Sequence, residues 1–217
     1  MKLNKKATSI VEAMIVLLIV MIAVTWAFDM FSKSIKVTDS TGYKLEAIAI
    51  AKEWIEAMTN IRDTNWKVLP WDYTNCWNTL NYNINCHNSN STANDIPNNT
   101  SFIVWKDNVD YRWKLESKTS GTYGTWTYIW DFAVWYDIDW FHTQSWWLID
   151  LANPLNPPFT REIKVVYLDD GDTGWVVNSN HQKMQITSLV QWRDQASDNV
   201  KEVELVTILS NWKNTKK

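Results

Sequence analysis

A single carboxylate, Glu12, stands at the head of a run that is otherwise uncharged from Ala13 to Phe28. Placing a carboxylate in an apolar helix costs roughly 3 kcal/mol on insertion scales, so the position calls for a cationic partner. Cys76 and Cys86 are the only cysteines. In an exported domain such a pair is expected to close one disulfide, with two free thiols as the alternative. The turn Asp169-Asp170-Gly171-Asp172-Thr173-Gly174 offers carboxylates to Ca²⁺ through Asp169, Asp170 and Asp172, but its spacing is not that of an EF-hand, and a solvated turn is the simpler reading. His87, His142 and His181 are far apart in sequence, and none sits in a nucleophile elbow, a zinc-protease motif or a phosphate loop. The expected chemistry is therefore the pairing of these groups, with no catalytic residues and no resident cofactor.

The elements that position these groups follow from periodicity. From Ile10 to Phe28, at about 1.5 Å per residue, the run nearly spans a bilayer core of roughly 30 Å. Leu45, Ile48, Ala51, Ile55 and Met58 then repeat at spacings of three and four, which predicts an amphipathic continuation to about Arg62. Such a helix would be roughly 80 Å long. Ser40, Thr41 and Gly42 are expected to weaken it, Ile61 to Trp66 to end it, and Pro70 to forbid its continuation. An Asn-rich polar loop over 72–100 holds both cysteines. Strands are expected at Ser101–Lys106 and Val109–Glu116 around an Asp107-Asn108 turn, at Thr125–Ile129, Ala133–Tyr136 and Arg161–Leu168, and in a hairpin formed by Met184–Trp192 and Val203–Ser210. The predicted class is α+β: one long N-terminal helix packed on an antiparallel sheet head.

The N-terminus resembles that of type IV prepilins and type II secretion pseudopilins. Lys2, Lys5 and Lys6 form a short basic leader, Ala7 precedes the cut, Thr8 becomes the first mature residue, and Glu12 falls fifth. The family usually carries Gly and Phe where this chain has Ala7 and Thr8. The helix end after Ala49-Ile50-Ala51-Lys52-Glu53 and the tail Thr207-Ile208-Leu209-Ser210-Asn211-Trp212 are also similar to pilin-like proteins. The resemblance implies a leader at 1–7, a transmembrane or filament-core helix at 8–31, an amphipathic helix at 32–66 and a globular head at 67–217. It implies a pilin-like fold and the role of a structural subunit in a pilus or pseudopilus. The partners would be the membrane, prepilin peptidase, other pilin subunits and the pilus or type II secretion assembly machinery. The N-terminus would stay in the cytoplasm with the head exported, in line with the positive-inside bias. The alternatives are a cleaved signal peptide, or an exported binding or adhesion domain on a permanent anchor.

Charge and composition narrow the partners. The net charge is −3, and no basic cluster lies outside the leader, so a direct nucleic-acid site is not expected. Asn90-Ser91-Thr92 and Asn98-Asn99-Thr100 match the glycosylation acceptor pattern, which an Asn-rich loop also produces by chance. One ratio is abnormal: 16 Trp against 5 Gly, where ordinary usage of about 7% predicts roughly 15 Gly. Some bacterial lineages read UGA as glycine, while a common alternative code reads it as tryptophan. On that reading many Trp positions are glycine in the living protein, with Trp54, Trp71, Trp146 and Trp147 the leading candidates and Trp66, Trp192 and Trp212 genuine. Several exposed loop tryptophans are then expected. An aromatic-rich head for adhesion or carbohydrate stacking is the alternative.

Overall fold

A computed structural model describes residues 10–72, 74–87, 94–107, 109–136, 142–143, 159–168, 182–194 and 199–214. It divides into two compact units, Met1–Tyr43 and Lys44–Lys217. The first helix, α1, runs Ile10–Val68 and contributes to both.

In the first unit every residue from Ile10 to Asp39 is exposed. Ser40, Thr41 and Gly42 remain helical, contrary to the expected weakening. Thr38 donates to the Ser34 carbonyl at 2.9 Å and Thr41 to the Val37 carbonyl at 2.8 Å. Such bonds satisfy the hydroxyls within the helix at only a slight cost to it, too small to break it here.

In the second unit the rest of α1 lies on the sheet through Ala47, Ile50, Ala51, Trp54, Ala57, Met58, Ile61, Asn65 and Trp66. This face differs from the expected one. Leu45 is exposed, and Ile48 and Ile55 are only half-buried. Trp54, Ala57, Met58, Ile61 and Trp66 of this face join the main core with residues of the sheet. The helix also runs past its expected end, because Asn65 accepts the Leu69 amide at 2.8 Å and closes one more turn before Pro70.

Among the described residues seven strands form the antiparallel sheet: β1 Thr100–Lys106, β2 Trp113–Lys118, β3 Ala133–Tyr136, β4 His142–Thr143, β5 Phe159–Tyr167, β6 Lys183–Arg193 and β7 Val200–Ser210. β5 is the centre. β6 pairs along it from Thr160↔Gln191 to Tyr167↔Met184. Its other edge is shared, with β1 pairing at Ile163 to Val165 and β3 at Phe159 and Thr160. β7 pairs with β6 along its whole length, Lys183↔Ser210 to Arg193↔Val200, as the alternation predicts. Helix and sheet enclose one core that includes Trp54, Met58, Ile61, Trp77, Phe102, Val104, Ile163, Val165, Ile186 and Leu209. The α+β expectation of helix on antiparallel sheet is met.

Two local expectations fail for visible reasons. The second strand of the first hairpin begins at Trp113, not Val109. Asp107 accepts the Val109 amide at 2.7 Å, Asp110 accepts the Arg112 amide at 3.0 Å, and Tyr111 takes φ 57°, so these residues form a turn. Thr125–Ile129 is not a strand: a second helix, α2, covers Trp126–Phe132. Its Tyr128 and Phe132 stand four apart with ring centroids 4.7 Å apart, and they bury against Ile103 of β1. A short aromatic run satisfies both periods, and here the i,i+4 contact prevails.

Met58 sits at the centre of the helix–sheet contact with no exposure. Met58→Ala is expected to cost about 2–5 kcal/mol, read as a lower urea midpoint at unchanged slope. A loss below about 1 kcal/mol would mean that the helix does not depend on this contact.

Candidate assembly site

The apolar half of α1 is built as a surface to be covered. Its Ile, Leu, Val, Met and Phe side chains from Ile10 to Phe31 are exposed, between 46% and 79%. Among the described residues α1 is the helix long and apolar enough to cross a membrane. Thr25, a hydroxyl inside the run, donates to the Ile22 carbonyl at 2.8 Å, so it presents no unsatisfied donor to an apolar environment. Asp29 and Lys33 pair at 2.7 Å one turn beyond the run and mark its polar end. That exposed pair contributes little to stability.

Glu12 lies near the start of the described part of α1. It is exposed, and no side chain among the described residues pairs with it. A carboxylate so placed can accept a cation from another molecule. Ala7 and Thr8, the expected cleavage pair, lie outside the described residues, as do Asp169, Asp170 and Asp172, Trp146 and Trp147, and His181. Among the described residues no group of three His, Cys, Asp or Glu side chains converges on a metal site.

The head's cysteines do meet. Cys76 and Cys86 form a disulfide with Cα atoms 5.2 Å apart, packed against Leu69 just past the helix end. The loop they staple is held by amides that periodicity does not reveal. Buried Asn65 donates to the carbonyls of Trp77 at 3.1 Å and Thr79 at 3.0 Å, which ties the loop to α1. Asn81 donates to the Leu115 carbonyl at 3.0 Å and accepts the Leu115 amide at 2.8 Å. Its side chain thereby occupies the edge of β2 as a neighbouring strand would. Tyr82 donates to the Trp113 carbonyl at 2.7 Å on the same edge. Asn78 donates to the Tyr167 hydroxyl at 2.8 Å, and that hydroxyl donates to the Ile96 carbonyl. The abundance of Asn in the loop was the only sequence signal for these contacts.

Arg161 and Glu162 of β5 are among the charged groups buried in the head, and both were missed by sequence reasoning. Arg161 of β5 has no exposure; its guanidinium carbon lies 3.1 Å from the Trp54 ring centre, and Glu53 stands 3.8 Å away. Burial holds the Arg161 pKa well below the usual arginine range, and Glu53 opposes that shift. Glu162, on the opposite face, accepts from the Ser101 hydroxyl and from the Tyr128 hydroxyl at 3.1 Å, which pins α2 to the sheet. Burial, reinforced by Glu162, raises the Tyr128 phenol. Burial also raises Tyr82 from 10.0 to about 12. At the end of α1, Trp66 packs edge-on against Trp212 at 5.2 Å, with Arg62 and Lys213 over its ring.

No protein-family model, curated protein or solved structure matches this chain.

Asn65→Ala strands two buried carbonyls and is expected to cost about 2–4 kcal/mol. Removing the disulfide with Cys76→Ala and Cys86→Ala should cost about 3 kcal/mol or less, because the loop is short. Denaturation showing Asn65→Ala to be neutral would contradict its role as the loop's anchor. The tyrosines give a pH dependence. Unfolded phenols ionise near 10.0, whereas Tyr82 keeps its proton to about 12. Its contribution is complete below pH 10 and is lost between 10 and 12. Tyr82→Phe should flatten the fall in stability across that window, and an unchanged slope would show that Tyr82 does not carry it.

Proposed function

We propose that this chain is a type IV pilin-like subunit whose role is assembly into a pilus or pseudopilus. Prepilin peptidase cuts between Ala7 and Thr8 and exposes a new α-amino group. The apolar segment of α1 passes from the membrane into a core of neighbouring helices, and Glu12 pairs with the terminal amine of an adjacent subunit, setting axial register. The head, carried outside, supplies the surface of the polymer. The partners are the membrane, the peptidase, other pilin subunits and the assembly machinery.

The observation that carries this reading is Glu12 at the head of an apolar helix exposed around its whole circumference. A plain anchor needs the apolar run but gains nothing from a carboxylate in its first turns. A polymer core gains register, because removing one member of a buried charge pair costs about 3–5 kcal/mol. The leader lysines and the position of Glu12 relative to Thr8, similar to the prepilin pattern, support the same reading.

N-terminal sequencing of exported protein should begin at Thr8. An intact Met1 terminus in assembled material would favour a permanent anchor, and a start near Phe28 would mean a signal peptide. Glu12→Ala should leave cleavage intact and reduce incorporation into filaments at least tenfold. Wild-type incorporation of that variant would remove Glu12 from the mechanism.

A further inference from the structure

The chain has 16 Trp and 5 Gly, and the structure sorts the described tryptophans by what their indoles do. Trp66, Trp77 and Trp192 are at most 3% exposed. Trp66 and Trp77 belong to the main core, and the Trp192 ring lies 6.1 Å from Phe159. Trp212 is exposed but packs on Trp66. Trp71 and Trp130 behave differently. Trp71 follows Pro70 in the turn after α1 and is 62% exposed; Trp130 lies on the outer side of α2 and is 48% exposed. Among the described residues neither ring has an aromatic or cationic partner. Tryptophan is highly buried on average, so two rings this exposed stand apart from the packed set. Trp26 is not informative, since its whole segment is exposed, and Trp54 is packed in the core beneath Arg161, so burial gives no reason to replace it.

We infer that positions 71 and 130 are occupied by glycine in the cell, each encoded by UGA and read by a glycyl-tRNA with the complementary anticodon, whereas Trp66, Trp77 and Trp192 are encoded by UGG. One substitution at the level of decoding raises Trp and depletes Gly together, which two independent compositional biases would have to reproduce by coincidence. Glycine after Pro70 also suits the turn that ends α1. The inference does not depend on the assembly reading.

The test is to read the gene and to weigh the tryptic fragments of native protein that carry positions 71 and 130. The expected result is UGA at both positions, UGG at 66, 77 and 192, and fragments lighter at each of the two sites by an indole side chain exchanged for hydrogen. UGG at either 71 or 130, UGA at 66, 77 or 192, or a fragment mass that retains either exposed tryptophan would overturn it. Variants of the chain give a second readout. Trp71→Gly with Trp130→Gly should leave Tm within a few degrees, and Trp77→Gly should lower it by about 10 °C. Equal losses in the two would show that the exposed rings carry structure after all.

Discussion

From Ile10 to Asp39 no side chain of the single chain covers another well enough to bury it. Covering a Leu, Ile, Val or Met is worth about 1.5–3 kcal/mol, so the segment has a strong drive toward lipid or toward other helices. Both environments exclude water, and both penalise an unpaired charge. Glu12 is tolerable at the head of such a segment if a cation meets it; on the proposed assembly reading that cation is the α-amino group that cleavage before Thr8 would expose. The rest of α1 solves a different problem, since from Ala47 onward its buried face is supplied by the sheet of the same chain.

The head is held to that second half by both apolar and polar contacts. Trp54, Met58 and Ile61 supply volume against Phe102, Ile163 and Val165. Asn65 carries the connection onward by binding two loop carbonyls, and Asn81 and Tyr82 then satisfy the free edge of β2. An exposed strand edge invites pairing with other chains, so closing it with side chains is a means of protection. The disulfide shortens the loop that delivers these groups. At the chain's end, Asn211 donates to the Thr74 carbonyl and Trp212 packs on Trp66, so the last strand is tied to the same corner.

The strong periodicities were legible in the sequence. The 3.6-residue pattern gave α1 and the alternation gave β5, β6 and β7, because each is long enough for one period to dominate. The cysteine pair was legible from the count alone. The buried face of α1 was only partly legible: Ala51 and Met58 fall on the expected face, but Ala47 and Ala57 score weakly as apolar, so the exposed Leu45 and half-buried Ile48 and Ile55 stood in their place. α2 was misread because a short aromatic segment fits either period until Tyr128 finds Glu162. The contacts of Asn65, Asn78 and Asn81 were not legible, since a polar side chain carries no sign of the distant backbone group it will meet. Arg161 fell on the inward side of a correctly predicted alternation, yet its stacking on Trp54 depends on a helix more than a hundred residues earlier.

The most direct test of the central claim is to ask what covers the apolar helix. Leu18→Cys places a thiol in the middle of the run without touching Glu12 or the head disulfide. Surface material is sheared from cells carrying this variant, oxidised briefly and separated without reductant. If neighbouring helices form the cover, the sheared fraction contains the chain cross-linked through residue 18 to other subunits. A chain found only in the membrane fraction, monomeric and unlinked, would mean that lipid is the permanent cover, and would contradict the account.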